Sequence, residues 1–260
     1  MRSRLKSFSE RFLPNGVLDV FVQVALMQVT YTAYRIVRGW VDDPTGAAVA
    51  FQNGRSVIGI EQSLGIFVEP KVQELLGPTS LVGDAASWMY LNAQVTVTLA
   101  ALVYLYLRHN RSFYFVRNMF IVAWFIALVG YMVFPTAPPR FFPEWGFVDS
   151  VADFTGVDPL STTGANALFN PYAAVPSMHV AFALMIGIPL AVLAKRRAVR
   201  WFWTAYPLLV TFVIVMTANH FVFDAILGAL TAATAYGVAY QLARARPVWG
   251  FQTAPARATA

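Results

Sequence analysis

Residues 118–139 read NMFIVAWFIALVGYMVFPTAPP, 22 positions without a formal charge. A helix needs roughly 20 mostly apolar residues to cross a bilayer core of about 30 Å. This run supplies them before Pro135 stops the helix. Similar uncharged runs occupy Ser87 to Leu107, Pro159 to Ala194 and Trp201 to Asn219, and Phe221 to Ala243 carries only Asp224. An earlier run, Val20 to Tyr34, is shorter, with Arg35 and Arg38 placed to snorkel at its end. The runs predict six transmembrane helices near 17–38, 86–107, 117–135, 176–194, 201–219 and 221–242. Composition agrees: 58% of the chain is hydrophobic and 12% charged, where a soluble domain carries roughly 25% charged residues.

Charge orients the spans by the positive-inside rule. Arg2, Arg4, Lys6 and Arg11 precede the first. Arg108, Arg111 and Arg117 separate the second from the third. Lys195, Arg196, Arg197 and Arg200 separate the fourth from the fifth, and Arg244, Arg246 and Arg257 follow the sixth. These alternate segments hold 14 of the 19 basic residues, so both termini are expected in the cytoplasm. The acidic residues gather on the opposite side. The net charge of +6 fits anionic lipid on the inner leaflet and needs no nucleic acid. The chain has no cysteine, which excludes disulfides and thiolate metal sites. No small-residue cleavage site follows the first run, so it reads as a signal anchor of the cytoplasmic membrane.

The fold class expected is therefore all-α and integral to the membrane, with a cytoplasmic segment 1–16, one catalytic domain over 17–243, and a cytoplasmic, disordered tail over 244–260. Within the domain, residues 40–85 place Val57, Ile60, Leu64 and Phe67 on one helical face, and Pro70 divides the segment. Two short amphipathic helices on the outer face follow, which either cap the bundle or gate lipid entry. The outer loop 136–175 is long, rich in Pro, Gly, Asn and Thr, and carries Phe141, Phe142, Trp145, Phe147 and Phe154. A loop of that length with such aromatics reads as a folded lid.

Three stretches meet the same end of apolar spans: Pro135-Thr136-Ala137-Pro138-Pro139-Arg140, Pro176-Ser177-Met178-His179, and Asn219-His220-Phe221-Val222-Phe223-Asp224. His220 and Asp224 stand four apart, on one face of a helix, and a carboxylate beside an imidazole stabilises its cation. An ionisable residue inside an apolar span is functional by default. Ser177 and His179 open the fourth span after Pro176, a first-turn residue, where free N–H groups attract an anion. Arg140 offers a phosphate its fork of donors, or else anchors at the headgroups.

These residues resemble the type 2 phosphatidic acid phosphatase superfamily, which shares its core with vanadium haloperoxidases. Its motifs run K-x6-R-P, P-S-G-H and S-R-x5-H-x3-D. Pro176-Ser177-Met178-His179 matches the second with Met for Gly, His220 and Asp224 match the third, and Arg140 matches the first. Val133 and Ile214 stand where a Lys and an Arg are usual. The wording around Arg140, Asn170 to His179 and Asn219-His220 is similar to the inositol phosphorylceramide synthase-like branch, as is, less specifically, the region of Glu61 and Glu69.

The resemblance implies a phosphohistidine mechanism. His220 attacks phosphorus, Asp224 orients it, and His179 protonates the leaving oxygen and then activates water or an alcohol, which could be an inositol-containing lipid. Arg140, Ser177 and Asn219 hold phosphate oxygens. Glu61, Arg55 and Lys71 are accessory or lipid-gating candidates. No metal or cofactor is expected. Partners are a lipid phosphate and membrane lipids. With so few cations the site suits a phosphodiester, which carries about one negative charge, better than a monoester, which carries nearly two. The alternatives are a polyprenyl (di)phosphate or phosphatidic acid phosphatase and a non-catalytic lipid-binding or transport protein.

Overall fold

The computed structural model describes Leu13 and residues 15–40, 44–157 and 171–246. Most of the expected N-terminal segment and tail, and residues 158–170 of the expected lid, lie outside them. The described elements are helical: α1 (Gly16–Trp40), α2 (Pro44–Leu64), α3 (Glu69–Leu76), α4 (Leu81–Arg108), α5 (Asn110–Val133), α6 (Ser150–Thr155), α7 (Met178–Leu193), α8 (Arg197–Met216) and α9 (Val222–Ala245). One isolated parallel bridge joins Thr136 to Ala173.

Five of these helices, α1, α4, α5, α8 and α9, are long and apolar enough to cross a membrane. The sixth expected span is α7, which has 16 residues and a length of about 24 Å. It starts at Met178 rather than Pro176. The chain before it turns at 171–172 and bends at 175–176, and the Val175–Pro176 peptide bond is cis. Pro176 is therefore not a first-turn residue of α7, and Ser177 is its N-cap.

Helix α7 is apolar all round, one side packed into the bundle and the other open at Ile188 and Val192. It packs against α4, α5, α8 and α9, burying Ala181, Met185 and Ile186 completely. Helix α4 lies across α5, α7 and α8, while α1 touches mainly α5 and is otherwise open. A polar network fastens α1 at one end. Asp19 accepts from the hydroxyls of Tyr106, at 2.7 Å, and Tyr114. Arg117 Nη1 donates to Gln23 Oε1 at 2.5 Å and its other nitrogens donate to Asn118. The charge pattern counts Arg117 among the residues that separate the second span from the third, at the first position of the third. Instead α5 begins at Asn110, after a turn at His109, and buries Arg117 among these amides.

The 40–85 segment forms two helices, α2 and α3, but they part at Gly65, whose φ is +70°. Pro70 sits within the first turn of α3, where its missing N–H costs nothing. The buried face of α2 also differs from the expected one. Val57 is enclosed, but Ile60 and Leu64 are exposed, and the enclosed positions are Ala50, Gly54, Ile58 and the carboxylic acid Glu61. The segment after α5 is folded into two 3-10 turns at Pro139–Phe141 and Pro143–Trp145, then α6. Phe142, Phe147 and Phe221 form a small core with Ala50, Val57 and Ile58. Gln73 clamps this region by donating to the carbonyls of Val148 and Met216, both at 2.9 Å.

Candidate active site

The three stretches singled out in the sequence come together where α7 and α9 begin and α8 ends. Two glycines permit the approach. A Cβ on Gly228 would fall 2.3 Å from the Ser177 carbonyl oxygen, and one on Gly130 would fall 2.8 Å from the Pro176 ring. The segment before α7 is thus gripped between α5 and α9. The Ser177 N–H donates to the Asp224 carbonyl at 3.1 Å.

Helix α8 ends at Met216, and Ala218 takes a left-handed φ of +51°, uncommon for a residue with a side chain. That turn lets the N–H groups of Asn219 and His220 both reach the Ile214 carbonyl, at 3.1 and 3.2 Å. His220 therefore precedes α9 instead of riding on its first turn, and Phe221 is the N-cap. The pairing with Asp224 survives because Asp224 reaches back. Its Oδ2 lies 3.2 Å from His220 Nδ1 and accepts the Phe221 N–H at 3.0 Å. Asp224 is fully enclosed and His220 is 5% exposed.

His220 Nε2 lies 3.3 Å from His179 Nδ1. With the His220 Nδ1 proton directed to Asp224, its Nε2 presents a lone pair on the side facing His179. Tyr90 of α4 stacks on His179, centroids 4.6 Å apart and planes at 23°. Arg140 is set by its own N–H, which donates to the Ala218 carbonyl at 2.9 Å. Its Nη1 donates to Asn219 Oδ1, and its Nε stands 3.4 Å from Asp149 Oδ2. Ser177 Oγ is buried without a hydrogen-bond partner among the described residues, leaving a donor available at the α7 end.

His179, His220, Asp224, Arg140, Asn219 and Ser177 are thus assembled as the motifs suggested. Arg55 and Lys71 are not, since both are exposed and Arg55 lies over the Phe142 ring, 5.8 Å from its centroid. Glu61 is enclosed beneath the site. The usual cation positions stay empty of charge: Val133 is 75% exposed at the end of α5, and Ile214 is fully packed. The sequence reading missed Tyr90, Asp149 and the role of Glu69. Nothing in their local pattern marks them, because each reaches the site from a different element.

A cavity of about 580 Å³ opens from this cluster. His179, His220, Asn219 and Arg140 line one end, and from there it runs between α1 and α4 past Tyr90, Leu99 and Leu107. Tyr90 to Leu107 on a helix covers about 26 Å, nearly the depth of a bilayer core.

The fold and the convergent His, His, Asp and Arg groups define an all-helical membrane protein of a known class. The model of the PAP2 superfamily matches residues 55–238, and the chain belongs to that family. A curated relative, a phosphoinositol dihydroceramide synthase of Bacteroides thetaiotaomicron, is 25% identical over 237 residues, covering 83% of this chain and 74% of the relative. No solved structure matches the chain.

Proposed function

We propose that the protein is a lipid phosphotransferase that moves a phosphorylated head group from a phosphodiester lipid to an alcohol, through a phosphohistidine on His220. The observation that carries this reading is the continuous line Asp224–His220–His179 beside Arg140, at the mouth of an apolar cavity as long as a lipid tail. Family membership supports lipid phosphate chemistry, and the relative's name supports an inositol-containing head group and a lipid alcohol acceptor.

The steps follow from the groups present. His220 Nε2 attacks phosphorus, a P–N bond forms, and the bond to the leaving lipid oxygen breaks. His179 gives that oxygen a proton. His179 then takes the proton of the acceptor hydroxyl, whose oxygen attacks phosphorus and expels His220. Asp224 stabilises the charged His220 ring. Arg140, Ser177 Oγ and the free N–H groups of α7 stabilise the phosphoryl oxygens. Asn219 holds the Arg140 fork in place. Among the described residues Arg140 is the one guanidinium lining the cavity, and, shared with Asp149, it matches one phosphate charge better than two. We place the site at the outer face of the cytoplasmic membrane, on the charge distribution of the connecting segments.

The test offers purified protein, in lipid nanodiscs, phosphatidic acid or phosphatidylinositol, each with a ceramide-type alcohol. Mass spectrometry should find head-group transfer from the diester, absent in His220→Ala. A strong preference for the monoester, or unchanged turnover in His220→Ala, would sink the reading.

A further inference from the structure

Helix α9 begins without a usable cap of its own, because Phe221 has no side-chain acceptor for the N–H groups of the first turn. The acceptors come from far away in the chain. The Val222 N–H donates to Glu69 Oε1 at 2.7 Å, and the Phe223 N–H donates to Glu61 Oε1 at 2.6 Å. With Asp224 on the Phe221 N–H, three successive amides at this helix end each meet a carboxylic acid. All three acids are fully enclosed.

Two neighbouring buried carboxylates repel and lose hydration. The charged groups acting on Glu61 are Glu69 of α3 and Asp224 of α9, both acidic. No arginine or lysine forms an ion pair with either glutamate among the described residues. As bare anions, Glu61 and Glu69 would each leave Oε2 buried without a donor. One proton held between them satisfies both oxygens. The remaining negative charge complements the positive end of α9.

We infer that Glu61 and Glu69 are positioning residues for the His220–Asp224 pair: they share one proton and hold the first turn of α9 through the N–H groups of Phe223 and Val222. The link to catalysis rests on the reading of His220 and Asp224 proposed above. Burial first, then the hydrogen bond and charge of Glu69, push the Glu61 carboxyl from 4.5 up to about 9, against the lowering effect of the Phe223 N–H. The folded protein therefore keeps a proton that the unfolded chain releases near 4.5. Stability from this proton is complete below the ordinary value, declines as pH rises across the window, and is gone above about 9.

The experiment compares wild type with Glu61→Gln, Glu69→Gln and Glu61→Ala in nanodiscs. The Gln side chain at 61 keeps an acceptor for Phe223 and gives Glu69 a permanent donor. Its melting midpoint should lack the wild-type decline with rising pH, and the alkaline limb of its kcat profile should move upward with KM unchanged. Glu61→Ala removes the acceptor, and kcat should fall by about tenfold or more through displacement of His220. If that variant fails to fold, the two Gln variants decide. Parallel melting and kcat profiles for wild type and both Gln variants would overturn the inference. Should wild type turn over no lipid, the phosphotransferase reading fails, while the melting curves still test the proton pair.

Discussion

His220 Nε2 and His179 Nδ1 lie 3.3 Å apart, in direct contact, so a phosphoryl group must part the two rings to bind between them. On the proposed mechanism their duties are separable. Only departure of a poor leaving group needs the His179 proton. His179→Ala should lower turnover of natural lipid by roughly 10²- to 10⁴-fold. An aryl phosphodiester, whose leaving group needs no proton, should still label His220 in that variant. His220→Ala should take no label from either substrate. Equal labelling of His220→Ala and wild type would remove His220 as the nucleophile.

Asp149 has two jobs on two oxygens. Oδ1 caps α6 by accepting the N–H groups of Val151 and Ala152, at 3.1 and 2.9 Å, while Oδ2 faces Arg140. Asn keeps the cap and removes the charge. Asp149→Asn should therefore leave the melting temperature nearly unchanged. It should lower KM for a phosphate monoester about two- to fivefold, in line with a partly exposed pair worth about 0.5–1 kcal/mol, and so narrow the preference for diesters. Arg140→Lys should go the other way for both substrates, because an ammonium loses the forked geometry. Unaltered monoester KM in Asp149→Asn would mean that Asp149 does not compete with substrate for Arg140.

Five of the six spans, the helix-end stretches and the juxtaposition of most of the cluster were legible because each leaves a local mark: an uncharged run, or a polar group interrupting one. What escaped was set by distant partners. Glu61 stands in the sequence as an accessory or lipid-gating candidate, but its acceptor role does not: it lies on the enclosed face of α2, where periodicity leads one to expect Val, Leu or Ile, because the α9 amides need acceptors there. Arg117 looks like a loop charge until Gln23 of α1 and Asn118 receive it. The four-residue spacing to Asp224 places His220 on a helix, but α8 ends at Met216, Ala218 turns left-handed and α9 starts only at Val222, and no glycine advertises that turn.

Tyr90 stacks on His179 with ring centroids 4.6 Å apart, a contact that Tyr90→Phe keeps and Tyr90→Ala removes. Offset aromatic contacts of this kind contribute about 0.5–1.5 kcal/mol. Tyr90→Phe should keep kcat within about twofold, and Tyr90→Ala should lower it roughly two- to tenfold by freeing the imidazole. Turnover measured at saturating lipid checks both. A Phe variant as slow as the Ala variant would show that the hydroxyl, not the stack, is what counts.

Gly228 sits where α9 crosses the start of α7, and it makes the clearest case for packing controlling chemistry. A methyl group there would lie 2.3 Å from the Ser177 carbonyl oxygen and 3.3 Å from the Val180 Cβ. Neither atom belongs to a flexible chain end, so the helices must separate. The Ser177 N–H bond to the Asp224 carbonyl is the first to stretch, and it ties the serine, and with it His179, to the His220–Asp224 pair. Gly228→Ala should cost about 1–3 kcal/mol of stability through overpacking. It should also lower kcat at temperatures where the protein remains folded. Gly237, on the same helix with nothing within 4 Å of a built Cβ, provides the opposite sign: Ala there should stabilise by about 0.5–1 kcal/mol from helix propensity and leave kcat alone. Thermal melts and turnover of the two variants side by side separate close packing at the site from the general effect of removing a helical glycine. Identical behaviour would show that the α7–α9 approach does not govern the cluster.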